Sequence, residues 1–346
     1  MLWQHTVGVV EPNTAAMRKI RVGVVGLGDH ALRSHVQHLA NSGAELVGVF
    51  DPDASATANF QGTPVVVHPS LASLLADSSV EAVIICSPDR FHADSLRAAV
   101  AAGKHVLVEK PAAADRHDLP TLGLALIVAK RNSLVVSSCH PRRFDPPFVS
   151  LKNRLDYFRT QFGAPLSVTF DFFYHRPSKS GLHHGLLIDH INHEIDLVNW
   201  MFGYSDFVAT KLFDSEVRYS ACGVRDDGIT FVFSGSRHLE RRVYAETMEV
   251  RFERGLVRLD AEAGKLFVHD YDADATYVDL CDATNYESRF QELNDDFFNA
   301  IRNSGKPYLS AQDIIVNTET GIFLTESGVY NSHGDSEGFA APQSQI

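Results

Sequence analysis

The segment GLLIDHINHEID at 185–196 contains the residue types best suited to moving a proton. Asp189 and His193 are four positions apart and Asp196 is three further on, which places all three on one face of a helix. A carboxylate beside an imidazole can transfer a proton near neutral pH. The rest of this face is largely apolar, where polar groups are costly unless they are satisfied or used. We therefore predict that this helix presents working groups to a pocket.

A second chemical feature is the sequence RVGVVGLGDHA, a strand that runs into Gly26-x-Gly28-x-x-Ala31 and then a helix. Gly26 permits a tight turn, Gly28 lets the backbone approach a pyrophosphate, and Ala31 allows close packing of helix on strand. The pyrophosphate would lie on the amides that open the helix, around Asp29 and His30. The pattern predicts a dinucleotide-binding turn.

The choice of dinucleotide follows from Asp51, which ends the next apolar run. A carboxylate at this point can accept hydrogen bonds from the adenosine ribose and would repel a 2′-phosphate. Residues 52–57 contain no Arg or Lys that could bind such a phosphate. We predict NAD as the cofactor rather than NADP.

The elements that hold these groups can be inferred from the apolar pattern. In the first 140 residues short apolar runs alternate with helical spacing, which is clearest at 91–102 and 119–131. Such alternation predicts a parallel sheet covered on both faces, that is, a doubly wound Rossmann domain. The apolar runs lie at 20–25, 46–50, 65–67, 82–86, 105–108 and 134–137.

After Pro141 the pattern changes. A helix is predicted at 148–160, and alternating segments at 166–174, 229–233, 248–252 and 256–259 predict an open, mostly antiparallel sheet. Two helices are predicted at 288–303 and 311–330. The chain is thus an α/β protein with an N-terminal arm (1–19), a Rossmann domain (20–141), a C-terminal α+β domain for substrate binding and oligomerisation (142–330) and a flexible tail (331–346).

Composition excludes several classes of function. The net charge is −12, which argues against nucleic acid as a partner because few cations are free to neutralise phosphates. No apolar run reaches the roughly 18 residues of a membrane span. The four cysteines form no CxxC pair, so neither a disulfide framework nor a cysteine zinc site is expected. We expect a cytoplasmic protein.

With these features in view, the chain resembles the Gfo/Idh/MocA family of NAD(P)-dependent sugar and polyol oxidoreductases, from about Ile20 to Tyr330. Besides the glycine turn, CSPDRFHADSLRAAVAAGKHVLVEKP at 86–111 is similar to the family signature that ends in Glu-Lys-Pro. GLLIDHINHEIDL at 185–197 is similar to its Asp-x-x-x-His helix, and HPRRF at 140–144 to its interdomain segment. The resemblance implies that nicotinamide binds in the cleft between the two domains.

Carried onto this chain, the resemblance implies a catalytic group of Lys110, Asp189 and His193. His193 would take the hydroxyl proton as general base, and Lys110 would stabilise alkoxide character on the substrate oxygen. Asp189 would orient the substrate or the imidazole. The Lys110–Pro111 bond can be cis in the family. The expected cofactor contacts are Gly26, Gly28, Asp29, His30, Asp51, Ser87, Pro88, His92, Glu109 and Lys110.

Substrate contacts are expected from Arg143, Tyr174, His175 and His190, with Arg176 a further candidate and Arg142 either a contact or a surface charge. A metal site is an alternative interpretation of this segment, because it contains six possible ligands: His183, His184, Asp189, His190, His193 and Glu194. Their spacing matches neither HExxH nor its inverse, so no metal is expected.

The sequence therefore predicts an NAD-dependent dehydrogenase that oxidises, or in reverse reduces, a secondary alcohol of a sugar, aminosugar or cyclitol. Two alternatives stay open. One is an enzyme that retains NAD as a recycled cofactor for elimination, glycosidic cleavage or two-substrate exchange. The other is a non-catalytic NAD-binding regulator. The uncovered face of the second sheet predicts a homodimer or homotetramer.

Overall fold

Six parallel strands form the sheet of the N-terminal half. The computed structural model describes residues 18–176, 186–238, 242–327 and 329–331. Neighbouring strands of this first sheet are hydrogen-bonded in the order β3-β2-β1-β4-β5-β6, and every pair is parallel. This is the strand order of dinucleotide-binding folds, in which ligands bind beyond the carboxyl ends of the strands. The strands are β1 (Ile20–Val25), β2 (Ala44–Phe50), β3 (Val66–Val67), β4 (Ala82–Ile85), β5 (His105–Val108) and β6 (Val136–Ser138).

Helices follow these strands because the runs between them bury one apolar face each. In the helix Leu119–Arg131, Leu122 and Ala125 are buried, while Leu124 and Ile127 stay exposed. The helix has a proline in its first turn and two basic residues in its last, as its dipole favours. The helices of this half are α1 (Asp29–Ser34), α2 (Ala54–Thr57), α3 (Leu71–Ala76), α4 (His92–Ala101) and α5 (Leu119–Arg131).

The second half folds around a nine-stranded sheet of order β14-β13-β12-β11-β7-β10-β9-β8-β15. The β7–β10 pair is parallel and the other pairs are antiparallel. Its strands are β7 (Pro165–His175), β8 (Phe207–Asp214), β9 (Arg218–Arg225), β10 (Thr230–His238), β11 (Tyr244–Phe252), β12 (Gly255–Asp260), β13 (Lys265–Asp270), β14 (Ala275–Leu280) and β15 (Val329–Asn331). The helices of this half are α6 (Pro146–Phe162), α7 (Leu186–Phe202), α8 (Tyr286–Arg302) and α9 (Ala311–Ser327).

Helices α6 and α7 cover one face of the second sheet. Phe148 and Phe158 of α6 pack with Phe170 and Phe233 of the sheet, and all four side chains are fully buried. Because strand residues alternate between faces, this packing fixes which residues of β7 and β10 face α7. Even-numbered residues of β7 and odd-numbered residues of β10 lie on the helix side.

Helix α8 lies against the first sheet, although it comes late in the chain. Phe297 and Phe298 are fully buried in one cluster with Val22 and Val24 of β1. Burying large aromatic side chains in this way stabilises the fold by roughly 1.5–3 kcal/mol each. The N-terminal sheet is therefore completed by a segment from the other end of the sequence.

The predicted architecture is confirmed: a Rossmann sheet is followed by an open, mostly antiparallel sheet. One prediction was wrong in its end point. The helix expected over 311–330 ends at Ser327, because Val329–Asn331 pairs with β8 as an edge strand. The assignments for residues 1–17 and 332–346 lie outside the described residues. Across the described part of the chain, no helix combines the length and apolar character needed to cross a bilayer.

Candidate active site

The glycine turn after β1 leaves space at the carboxyl edge of the first sheet. Gly26 has a φ of +85°, and a Cβ there would lie 2.6 Å from the backbone nitrogen of Ser87. Only glycine fits both constraints. Gly28 caps α1, and a Cβ on it would meet nothing within 4 Å. The next residue, Asp29, is exposed and pairs with Arg33 at 2.8 Å. The turn thus fits an extended anionic ligand placed on the opening of α1.

The Asp51 side chain is hydrogen-bonded to this turn. Its Oδ2 accepts a hydrogen bond from the Leu27 backbone nitrogen at 2.8 Å, and its Oδ1 accepts one from the Asp53 nitrogen at 2.9 Å. A carboxylate has about four lone-pair sites, so acceptor capacity remains for ribose hydroxyls. Asp51 is therefore placed as the cofactor prediction requires.

The loop after β4 contributes a hydroxyl and a buried imidazole. Among the described residues the buried Ser87 Oγ has no hydrogen-bond partner, and Pro88 beside it is exposed. His92 is 2% exposed, and its two ring nitrogens lie 2.7 and 2.6 Å from the carbonyl oxygens of Pro111 and Ser87. His92, which was predicted to contact the cofactor, connects the Ser87 loop to the Lys110–Pro111 segment.

Glu109 is a buried carboxylate at the end of β5. Its Oε1 lies 2.7 Å from His30 Nε2 and 3.0 Å from His35 Nε2, and its Oε2 accepts from the Lys110 backbone nitrogen at 3.2 Å. Burial alone would raise the pKa of Glu109, but the two histidines hold it well below its usual range. The pKa of His30 is raised, because the attraction of Glu109 outweighs burial.

This cluster of His30, His35 and Glu109 is the one place in the described residues where three potential metal ligands converge. Hydrogen bonds among the three already satisfy the carboxylate. Glu109 lies 79 and 74 positions after His30 and His35, so no local motif indicated the cluster. Of the ligand cluster weighed above, His183 and His184 lie outside the described residues.

Lys110 links the two halves of the molecule. Its ammonium contacts the Asp189 carboxylate of α7 and donates to the Asp189 carbonyl oxygen at 2.7 Å. The Lys110–Pro111 bond is cis. Burial tends to raise the pKa of Asp189, but the Lys110 ammonium holds it far below its usual range. The Asp189 carboxylate thus holds the direction of the Lys110 ammonium.

His193 lies one turn further along α7 and is 9% exposed. Its pKa is well below the ordinary value, because burial and the charges of Arg142 and Lys110 disfavour the imidazolium. It is therefore neutral at pH 7, the form that can accept a proton. Among the described residues its buried Nδ1 has no hydrogen-bond partner. The ring of His140 lies edge-on to it, with centroids 5.6 Å apart.

His140 is itself held in place from two sides. Its Nδ1 lies 2.9 Å from Ser138 Oγ, and its Nε2 lies 3.4 Å from Asn317 Nδ2 of α9. Asn317 also donates to Asp196 at 2.8 Å. This buried support of His193 was not predicted, because its members come from three separate segments.

His190 is enclosed by aromatic rings. Its ring centroid lies 4.9, 5.4 and 5.1 Å from those of Phe172, Tyr174 and Tyr219. Burial lowers its pKa to about 3, against the attraction of Asp189. The Tyr174 hydroxyl lies 3.4 Å from His190 Nε2, and Asp189 Oδ2 lies 3.7 Å from the same atom. His190 is thus one contact away from the Lys110–Asp189 pair, and Tyr174 is two contacts away.

Three substrate predictions need correction. Arg143 is 5% exposed and donates to Asp196 and Asp313, so it belongs to a buried ion-pair network. His175 lies on the opposite face of β7 from Tyr174, because neighbouring strand residues alternate. Arg142 is not a surface charge: it is buried, pairs with Glu246, and its guanidinium lies 4.8 Å from the Phe172 ring centroid.

Glu194, next to His193, is a buried carboxyl group that the sequence indicated only as a possible metal ligand. Its Oε1 accepts a hydrogen bond from the Tyr219 hydroxyl, while its Oε2 has no hydrogen-bond partner among the described residues. Burial raises its pKa to about 8, despite the Tyr219 hydrogen bond and the charge of Arg142. It is therefore mainly protonated at neutral pH.

Comparisons with known proteins agree with this geometry. Residues 20–137 match the Gfo/Idh/MocA model, described as an oxidoreductase family with an NAD-binding Rossmann fold. Over these residues the chain is similar to that family. The fold of the chain is shared by scyllo-inositol dehydrogenase from Lactobacillus casei, solved with bound NAD(H) and scyllo-inositol, at a TM-score of 0.74 and 21% identity. That likeness covers 91% of this chain and 99% of the other.

Curated relatives of this chain include inositol 2-dehydrogenase 1 of Saccharopolyspora erythraea, 42% identical over 40% of this chain and 41% of the relative. The 1-carboxy-3-chloro-3,4-dihydroxycyclohexa-1,5-diene dehydrogenase of Comamonas testosteroni is 31% identical over 52% of this chain and 46% of the relative. The chain thus spans about half the length of the first curated relatives it matches.

We expect Glu194→Gln to change how stability depends on pH. The folded protein keeps a proton on Glu194 up to pH about 8, whereas the unfolded chain loses it near 4.5. The wild type should therefore lose stability, relative to the glutamine variant, as pH rises between these values. The relative loss should be as much as about 1.4 kcal/mol per pH unit.

Urea unfolding of both proteins at pH 5.5 and 7.5 measures this difference. Glu262→Gln is a matched control, because Glu262 is exposed. A constant stability gap between wild type and Glu194→Gln at the two pH values would contradict the raised pKa.

Proposed function

We propose that this chain is an NAD-dependent dehydrogenase that oxidises, or in reverse reduces, a secondary alcohol on a sugar, aminosugar or cyclitol. The observation that carries the proposal is the contact of Lys110 with Asp189 of α7, beside His193. An ammonium from the Rossmann half and an imidazole from the second half then act on one cleft. The names of the relatives, inositol and cyclohexadiene-diol dehydrogenases, also indicate ring alcohols.

The residues of the first half fit NAD on structural grounds. The Gly26 turn and the open space beside Gly28 would hold the pyrophosphate, and Asp51 has capacity for the adenosine ribose. The unpartnered Ser87 hydroxyl offers a polar contact beside the cleft. When bound, NAD supplies the hydride acceptor. Glu109 and His92 would not need to contact NAD to affect its site. Their hydrogen bonds fix the backbone on either side of Lys110.

The residues of the cleft divide the proton chemistry. His193 is neutral and takes the hydroxyl proton. Because its pKa is low, it is a weak base and needs help from a cation near the substrate oxygen. Lys110 supplies that positive charge and stabilises the developing alkoxide. Asp189 orients the Lys110 ammonium by pairing with it. The N–H groups of Lys110 that do not contact Asp189 remain free to donate to the substrate.

We expect Lys110→Met and His193→Asn to lower kcat by at least about 100-fold, the usual contribution of a charge stabiliser or a general base. NAD affinity should stay within about threefold, because neither side chain is needed to hold the adenosine half. Reduced-nicotinamide absorbance measures turnover, and calorimetry measures binding. Exposed Lys130→Met and His117→Asn serve as matched controls.

Near-normal turnover in either variant would remove that residue from the mechanism. The same assay separates the alternatives. Net accumulation of reduced nicotinamide with substrate supports a dehydrogenase. Substrate conversion without accumulation would indicate a recycled cofactor, and NAD binding without any conversion a regulator.

We expect the protein to bind NAD more tightly than NADP, and Asp51→Asn to narrow that preference by about tenfold. The Asp51 carboxylate repels a 2′-phosphate and accepts from the ribose, and the amide loses the charge. Titration calorimetry with both cofactors measures this. Asp53→Asn, an exposed carboxylate two residues on, is the control. Equal affinity of the wild type for the two cofactors would contradict the role of Asp51.

We also propose that the chain forms a homodimer or homotetramer through the second sheet. Its face opposite α7 exposes Val208, Val224 and Val232 on the neighbouring strands β8, β9 and β10, and also Phe267 on β13. Contiguous apolar side chains of this kind mark interaction surfaces.

Light scattering should give at least twice the 38.2 kDa chain mass. Val232→Glu should shift the protein toward the monomer, because it places a charge in a desolvated interface. The control is Leu124→Glu on α5, which is equally apolar and exposed but lies far from this face. A monomeric wild type would rule the proposal out.

A further inference from the structure

Within the residues that the structure describes, Arg237 on β10 is a buried arginine without a counter-ion. Four arginines are buried among the described residues. Arg142 pairs with Glu246, Arg143 with Asp196 and Asp313, and Arg225 with Asp227. Arg237 is the most buried of the four, at 2% exposed, yet in the described part of the chain no carboxylate pairs with it. Its Nε and Nη1 have no hydrogen-bond partner there either.

Such an arrangement is costly in an apo protein. A guanidinium carries five donors, and burying it unpaired forfeits its hydration without return. Three other buried arginines in this chain follow the usual solution of a carboxylate partner. Among the described residues Arg237 thus keeps guanidinium donors that remain available to an anionic ligand.

The position of Arg237 in the sheet shows where that anion would bind. Residue 237 pairs in register with Tyr174 of β7, and the two side chains lie on the same, helix-facing side of the sheet. The Tyr174 hydroxyl contacts His190, which lies beside Asp189 and hence Lys110. Two side chains, Tyr174 and His190, thus lie between Arg237 and the Lys110–Asp189 pair.

The charges around this edge of the cleft are predominantly positive. Arg176 lies two residues after Tyr174, and together with Arg237 it acts to lower the pKa of Tyr174, although burial still raises that pKa to about 12. The nearby Asp189 is already paired with Lys110. In a chain of net charge −12, this local surplus of cations is a distinct feature.

We propose that Arg237 binds an anionic substituent, a carboxylate or a phosphate, on the alcohol that the enzyme oxidises. This inference rests on the proposed function and specifies its substrate class. The planar guanidinium matches either group with two parallel hydrogen bonds. Binding there would fix the ring so that its hydroxyl faces Lys110 and His193. Neutral sugars and cyclitols would leave the guanidinium unpaired and would be poorer substrates.

The first test compares matched anionic and neutral alcohols as substrates with NAD. The pairs are D-glucuronate and D-glucose, D-galacturonate and D-galactose, quinate and myo-inositol, and D-glucose 6-phosphate and D-glucose. We expect at least one anionic member to exceed its neutral partner by about 100-fold in kcat/KM. The uronate, quinate and phosphate arms show which anion is preferred. Neutral partners that react equally well or better would overturn the proposal.

The second test replaces the guanidinium. Arg237→Gln should lower kcat/KM for the preferred anionic substrate by about 100-fold and leave its neutral partner within about twofold. Arg218→Gln is the matched control: Arg218 pairs in register with Ser236 and is exposed, so its loss removes the same charge outside the cleft. Equal losses on both substrates in Arg237→Gln would contradict selective anion binding.

Thermal unfolding of the ligand-free proteins separates binding from a structural role. Removing an unpaired buried charge should leave the melting temperature of Arg237→Gln unchanged or higher. A clear fall would mean that Arg237 stabilises the fold and would overturn the proposal.

Calorimetry with NAD present tests anion binding without turnover. Binding of the carboxylates or the phosphate by wild type but not by Arg237→Gln supports the inference even if no substrate is oxidised, in which case only the dehydrogenase proposal fails. Conversely, turnover confined to neutral alcohols would keep the dehydrogenase proposal and remove the role of Arg237.

Discussion

The contact between Lys110 and Asp189 is the constraint on which the rest of the site depends. It joins the end of a parallel strand in the first half to the opening of α7 in the second. The partly buried ammonium and carboxylate each need the other, because an unpaired charge in this position would cost several kcal/mol. The pair therefore fixes how α7 is presented to the nucleotide edge. As a consequence, His193, which is one turn after Asp189 on α7, lies beside that edge.

The charged groups around this contact differ in how their burial is compensated. Arg142 and Arg143 are each paired with a buried carboxylate. These ion pairs stabilise the sheet and α7. Glu194 keeps its proton because burial and an incomplete set of hydrogen bonds disfavour the anion. Among the described residues Arg237 is the buried arginine left without a carboxylate, and it lies in register with Tyr174. The cleft of an acidic chain is thus locally basic, which bears directly on the substrates it selects.

The sequence predicted the elements far better than the side-chain environments. The runs at 20–25, 105–108 and 119–131 became strands and a helix with those same bounds, because their apolar periods are unambiguous. The edge strand at Val329–Asn331 was missed because three residues carry no period. Arg143 looked like a substrate contact and proved to be ion-paired, since its partners lie 53 and 170 positions away. His140 and Arg237 were not predicted for the same reason: the residues that surround them are distant in sequence.

The most direct test of the account is a crystal structure of the protein with NAD and a non-reacting analogue of a ring alcohol. The account predicts that Lys110 Nζ and one ring nitrogen of His193 both lie within hydrogen-bond reach of the same ring hydroxyl, with its carbon facing the nicotinamide. A complex in which the two groups face separate cavities, or in which the nicotinamide lies away from Lys110, would contradict it.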